Sequence, residues 1–230
     1  MNFDAIAENL PLYLGGLLVT LKLLLLSLAA GMALALPLAV VRTVFKGWPS
    51  RLVWVYTYAF RGTPMLVQLF LIYYGLAQFD AVRDSWAWPW LSSATFCAWL
   101  TFTLNTAAYT TEIIAGSIRA LPAGEIEAAK ALGMSRGQML RRIVLPAALR
   151  RALPAYGNEA IFMLHGTSLA STVTLVDTTG AAQMVYAKFY LPFEAFITAG
   201  LFYLVLTFIL VRLFKLAERR WLAYLAPRKA

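Results

Sequence analysis

Five stretches of this 230-residue chain, 23–41, 62–79, 85–111, 160–176 and 195–211, contain no Asp, Glu, Lys or Arg. Each approaches the ~20 residues that a helix needs to cross the hydrocarbon core of a bilayer. A soluble fold cannot absorb several such runs, because its surface helices keep a polar stripe for water. The composition agrees: 61% hydrophobic, 13% charged and a mean hydropathy of +0.69 lie outside the range of ordinary soluble domains. A membrane β-barrel would alternate apolar and polar residues in segments of ~10, and these Leu-, Ala-, Val- and Phe-rich runs do not alternate. The expectation is an all-α membrane protein with about five transmembrane helices, near 12–41, 52–79, 92–118, 155–176 and 194–215.

The net charge of +9 is informative through its distribution. Arg42, Lys46 and Arg51 follow the first run, and Arg119, Lys130, Arg136, Arg141, Arg142, Arg150 and Arg151 separate the third from the fourth. Arg212, Lys215, Arg219, Arg220, Arg228 and Lys229 follow the fifth, whereas the opposite connections carry Arg83 and Lys188 and the leading tail carries Asp4 and Glu8. The positive-inside rule then puts the N-terminus outside and the C-terminus in the cytoplasm. Basic residues so arranged set orientation and attract anionic headgroups of the lipid bilayer, and no nucleic acid partner is expected.

The single cysteine, Cys97, leaves no disulfide and no thiol pair for a metal. The acidic leading tail lacks the basic region of a cleaved signal, so the first apolar stretch reads as a retained helix. Trp86, Trp88 and Trp90 sit where this topology puts the outer interface, and Pro89 among them stops a continuous helix. Lys22 lies near the outward end of the first helix, where its long stem reaches the headgroups. Gly15, Gly16, Ala29, Ala30, Gly31 and Ala33 on the same helix permit close helix packing.

The segment 120–150 is the one long connection on the basic side. Leu121-Pro122-Ala123-Gly124 breaks and restarts the chain, residues 125–132 are strong helix formers, and Gly133 supplies a C-terminal stop. Glu125 and Glu127 suit the first turn of that helix, and Ala128, Ala129 and Leu132 offer it a flat apolar surface for docking. Ser135 with Gln138 forms a capping box opening a second helical piece, Met139 to Val144, which Pro146 is expected to interrupt.

Glu127-Ala128-Ala129, three residues, Gly133, nine residues, then Ile143-Val144-Leu145-Pro146 match at every fixed position the E-A-A…G…I-x-L-P signature of ABC importer permeases. Arg61-Gly62-Thr63-Pro64 with Gln68, the segment Asn105 to Glu112, and Pro154-Ala155-Tyr156-Gly157-Asn158-Glu159 resemble the polar amino acid subfamily. Met163-Leu164-His165 and Ala217-Glu218-Arg219-Arg220-Trp221-Leu222 are similar to the HisM-type subunit of histidine, lysine, arginine and ornithine importers. The resemblance runs from about Gly15 to Arg220 and implies one type I permease domain over 1–220, with 221–230 as a cytoplasmic tail.

That resemblance also implies partners: a second homologous permease subunit, two ATPase subunits docked from the cytoplasm, and a periplasmic substrate-binding protein. No cofactor is expected on this chain. ATP-Mg would be used by the ATPase subunits, and no G-x-x-x-x-G-K-[ST] loop occurs here to hold nucleotide phosphates. The helix 123–132 would be the coupling element, with Glu127, Ala128, Ala129, Leu132, Gly133, Ile143, Leu145 and Pro146 as its coupling residues.

Ionisable groups inside spans usually face a cavity or a partner, so Glu112, Glu159 and His165 are candidates for a substrate path, together with the polar Asn105 and Thr111 near Glu112 and Thr167 and Ser168 near His165. Glu112 is equally suited to pairing with Arg119, and Glu159 to stabilising a helix start. Relatives carry K-D-T-S-L where this chain has His165-Gly166-Thr167-Ser168-Leu169. With that acid absent, the companion subunit is expected to supply the main charge recognition, and Thr167 and Ser168 to contribute hydrogen bonds. An ion-coupled secondary transporter is the alternative, but the paired interrupted helices of inverted repeats are not apparent. A membrane hydrolase would need a nucleophile and an acid beside the one histidine.

Overall fold

The computed structural model describes residues 4–222, and every regular element among them is helical. The expected tail 221–230, with Arg228 and Lys229, lies outside the described residues from 223 onward.

A short α1 (Asp4–Glu8) precedes α2 (Leu10–Val44), whose 35 residues include Pro11 in the first turn, where a missing N–H is harmless. At 1.5 Å per residue α2 is roughly 50 Å long, well beyond a bilayer core of ~30 Å. After α3 (Trp48–Gly62) the chain breaks: Thr63 is extended at φ −116°, ψ 143°, as a residue ahead of Pro64 prefers. Helix resumes as α4 (Met65–Phe70), passes through a π turn at Leu71–Gly75 and ends in a 3₁₀ turn at Leu76–Gln78. The single helix expected over 52–79 is therefore two, divided at Thr63–Pro64.

Two single turns, α5 (Asp80–Arg83) and α6 (Trp88–Leu91), form the tryptophan-bearing connection; Pro89 lies in the first turn of α6, so it starts that turn. The 26-residue α7 (Ala94–Arg119) is capped by Ser93, whose hydroxyl accepts the Phe96 N–H. Beyond it come α8 (Ala123–Ala131) and α9 (Arg136–Met139). A π turn at Leu140–Val144 then feeds α10 (Leu145–Gly166) and its 3₁₀ extension Thr167–Val173.

Pro146 does not interrupt this rod. The Leu145 N–H bonds to Leu140 O, a register one residue wider than an α-helix, and the proline, which has no N–H to give, falls in the first turn of α10. The fourth helix consequently begins well before the position near 155 expected for it. A helix absent from the sequence expectation, α11 (Thr178–Phe189), meets the rod at a 46° bend, and α12 (Pro192–Trp221) closes the fold.

By length and composition, α2 and α12 are each able to cross a bilayer, and the α10 rod with α11 passes the same criterion across its bend. The central helix α7 is less apolar because it turns its polar side chains inward: Thr101, Asn105, Thr106, Thr110 and Thr111 are all buried. Thr101 and Thr111 donate back to Cys97 O and Ala107 O, at 2.7 and 2.6 Å, so these hydroxyls never face hydrocarbon.

The α2–α7 crossing is tight at Gly31, where a Cβ would come within 2.3 Å of Thr106 Cγ2 and 3.4 Å of the Ala107 nitrogen. Gly16 is closer still to a neighbouring backbone, with its Cβ position 2.5 Å from Asp177 O, whereas Gly15 has nothing within 4 Å. Leu23, Leu24, Leu69, Phe102, Met163 and Leu164 form one core between α2, α4, α7 and α10. Ala35, Ala39, Ile114, Ala115 and Ala152 form another nearer the basic end. Lipid tails are as apolar as these side chains, so the cores hold by close packing and dispersion more than by expulsion of water.

Candidate functional site

The break at Thr63–Pro64 opens a cleft of about 720 Å³ whose lining includes Arg61, Thr63, Asn105, Tyr109, Asn158 and Glu159. Its edge is pinned by Gln68, whose Nε2 lies 2.7 Å from both Phe60 O and Thr63 Oγ1. Asn105 Nδ2 donates in turn to Gln68 Oε1 at 3.0 Å. These amides replace the backbone partners lost where the helix stops, so irregular chain is tolerated at membrane depth. On the same wall the Arg61 guanidinium stands over the Tyr109 ring, 5.3 Å from its centroid, while the Tyr109 hydroxyl donates to Arg61 O at 3.3 Å. From α10, Glu159 brings a carboxylate to the cleft while only 6% of the residue is exposed, and Arg61 lines the same cleft. A cleft of this size with one carboxylate, one guanidinium and two carboxamides can hold a small zwitterion with a cationic side chain.

The remaining path candidates lie elsewhere. Glu112 is bound on three sides: Arg42 Nε donates to its Oε1 at 3.1 Å, Thr57 Oγ1 donates to the same oxygen at 3.0 Å, and Arg119 lies 3.7 Å from Oε2. It joins α2, α3 and α7, and Arg42 rather than Arg119 is its near partner. Thr111 is buried and donates to Ala107 O. His165 is exposed and pairs with Thr207 Oγ1 of α12 at 3.2 Å, away from the cleft. Thr167 and Ser168 donate to Leu164 O and His165 O, at 2.6 and 2.7 Å, because hydroxyls in a tightening helix end find the preceding carbonyls first. Of the seven candidates, Asn105 and Glu159 line the cleft.

Sequence reasoning passed over Asp177. Its carboxylate caps α11 through the Gly180 N–H at 2.9 Å and accepts the Tyr203 hydroxyl at 3.0 Å, while the neighbouring Thr178 pairs with Thr20 of α2 at 3.0 Å. An acid followed by two threonines and a glycine at the close of an uncharged run is the cap signal that marks this helix. Among the described residues no group of three or more His, Cys, Asp or Glu is placed to hold a metal ion, and Cys97 is a buried free thiol.

On the basic side, α8 ends as its sequence dictates. Gly133 takes φ +73°, its N–H bonds Lys130 O at 2.9 Å and the Met134 N–H bonds Ala129 O at 3.1 Å, which together form a Schellman stop. The capping box between Ser135 and Gln138 is formed in both directions. Glu127 and Ala128 are exposed and Leu132 is 82% exposed, whereas Ala129 is buried against the chain. The apolar face is thus divided: residues four apart share one side of a helix, and Ala129, ~100° round from Ala128, faces inward. Ile143 lies half-buried in the π turn, with Leu145 and Pro146 at the start of α10. Arg151 of α10 reaches back to Ala120 O at 3.4 Å and to Glu125 at 3.9 Å, so the base of α8 is tied to the helix that carries Glu159.

Residues 27–223 match the family described as binding-protein-dependent transport system inner membrane component. The octopine transport system permease protein OccM of Rhizobium radiobacter is 49% identical over 205 residues, covering 89% of this chain and 84% of its own. The histidine/lysine/arginine/ornithine transport system permease protein HisM of Escherichia coli K12 is 46% identical over 213 residues, covering 92% and 90%. A chain of the solved amino acid ABC transporter with histidines superimposes with a TM-score of 0.85 at 34% identity, over 96% of this chain and 99% of that one. With the family matched over most of the chain and the helical architecture shared, this protein belongs to the binding-protein-dependent transport system inner membrane components, the ABC importer permeases, and is a multi-pass protein of the inner membrane.

Proposed function

We propose that this chain is the permease half of an ATP-driven importer of basic amino acids or opines. The observation that carries the reading is the cleft at the Thr63–Pro64 break, where the Glu159 carboxylate suits a cationic side chain and the Arg61 guanidinium suits an α-carboxylate. The octopine system and histidine/lysine/arginine/ornithine system names of its relatives support that substrate class. Glu159 also revises the expected division of labour: the acid missing at Gly166 has a counterpart in this chain's own cleft, so charge recognition need not be left to the companion.

The family description brings a binding protein, and the ABC class an ATPase. In finer detail, a second homologous permease completes the pathway, two ATPase subunits carry ATP-Mg, and the binding protein delivers substrate from the periplasm. The N-terminus lies on that side and the C-terminus in the cytoplasm, as the basic loops require. The exposed Ala128 of α8 and Leu132 at its C-cap dock on an ATPase subunit, and closure of the ATPases shifts the outward-open and inward-open populations through Glu125, Arg151 and α10.

The test is ATP-dependent uptake of labelled arginine and ornithine by the complete importer in proteoliposomes supplied with its binding protein. The wild type accumulates them and Glu159→Gln loses about tenfold or more of the rate, as loss of a charge-assisted contact implies. Absence of ATP-dependent uptake, or equal uptake by the variant, would overturn the reading.

A further inference from the structure

A second groove, of about 640 Å³, lies between α2 and the start of α7, lined by Lys22, Leu23, Leu26, Trp90, Phe96 and Trp99 among others. Its aromatic wall is continuous: Trp90 and Phe96 have ring centroids 5.8 Å apart, and Phe96 and Trp99 5.5 Å. One charge stands in it. Lys22 is exposed, and no carboxylate among the described residues pairs with it.

The depth of that charge follows from the helix itself. Arg42, held by Glu112 at the basic end of α2, and Lys22 bracket residues 23–41, which are uncharged and about as long as a bilayer core is thick. Lys22 therefore sits at the opposite hydrocarbon boundary from Arg42. Trp90 shares its groove, and indole rings favour that same boundary. Apart from Ser93 and Thr95 the rest of the lining, Leu23, Leu26, Phe96 and Trp99 among it, is apolar and suited to a hydrocarbon chain.

We infer that this groove binds an anionic phospholipid, its phosphate on Lys22 and the upper part of one acyl chain along Leu26, Phe96 and Trp99. A zwitterionic lipid brings its own cation to the phosphate and gains less from Lys22, so the site discriminates by headgroup charge. In the proposed orientation that boundary belongs to the outer leaflet, whereas the lipid chemistry rests on the groove alone.

The complete importer, extracted in mild detergent from membranes containing phosphatidylglycerol and phosphatidylethanolamine, is examined by native mass spectrometry. Phosphatidylglycerol is retained preferentially, Lys22→Gln lowers its retention about fivefold, and Lys22→Arg keeps it. Excess glycerol phosphate or inorganic phosphate does not displace it, since the chain contacts hold the lipid. In the unmutated complex a phosphatidylglycerol carrying a photoreactive group high on one acyl chain labels peptides containing Leu26 or Phe96–Trp99. Equal retention in wild type and Lys22→Gln, displacement by phosphate, or labelling that misses both peptides would each overturn the assignment, and none of these readouts depends on which amino acid is transported.

Discussion

Arg42 Nε donates to Glu112 Oε1 at 3.1 Å, tying the end of α2 to α7 one turn or two ahead of the segment that leads into α8. The same arginine also donates to Ser50 at 3.2 Å, and Thr57 supports the carboxylate, so α3 is held in the junction as well. Both side chains of the pair are about one-fifth exposed, at 23% and 16%. Removing one partner leaves a partly buried charge unbalanced, which costs roughly 1–3 kcal/mol. Glu112→Ala is expected to lower the unfolding temperature of the purified importer, and Arg42→Met with Glu112→Leu to recover part of the loss; a thermal unfolding series on the single and double variants checks this.

Adjacent glycines on α2 provide an internal control. At Gly16 a methyl group meets Asp177 O at 2.5 Å, and that carbonyl belongs to the cap of α11, so it cannot swing aside. At Gly15 the space is open. Gly16→Ala should cost about 1–3 kcal/mol through overpacking, and Gly15→Ala should be close to neutral. Parallel thermal unfolding of the two variants reads the difference.

Glu159 and His165 lie on the same rod but face different neighbours, the cleft and Thr207 of α12. His165→Ala should therefore change arginine uptake less than about twofold, a surface-like effect, while Glu159→Gln loses about tenfold or more. Initial uptake rates at saturating binding protein separate the two.

Gly133 holds φ +73° with no atom within 4 Å of its Cβ position, so an alanine there suffers from backbone conformation alone. The cost of about 1 kcal/mol falls on the stop of α8. Hydrogen exchange of the peptide spanning α8 should accelerate about fivefold in Gly133→Ala while that of α7 is unchanged.

Much of this could be read from residue order. The apolar runs located α2, α7 and α12, and Gly133 located the end of α8 and the Ser135–Gln138 box the start of α9, because hydropathy and capping are local properties; the piece expected over Met139 to Val144 is the π turn that follows α9. The break at Thr63–Pro64 was hidden inside an uncharged run: hydropathy does not distinguish a helix from two helices, although the proline was visible. Pro146 misled in the opposite direction, since the π turn that accommodates it depends on a one-residue register shift with no compositional mark. The helix α11 is short and follows an acid, so it fell outside any search for spans. In the cleft, Asn105 and Glu159 were legible as polar groups within spans, but the position of Glu112 was settled by Arg42, seventy residues away in sequence, which no local pattern reveals.

The coupling role proposed for α8 is tested by measuring ATP hydrolysis and arginine uptake on the same proteoliposomes for wild type and Ala128→Arg. The substitution puts a long cation on the exposed face of α8 without touching the cleft. The variant is expected to assemble in the membrane and retain ATP hydrolysis while uptake falls to background. Uptake at the wild-type ratio to ATP consumed would contradict it.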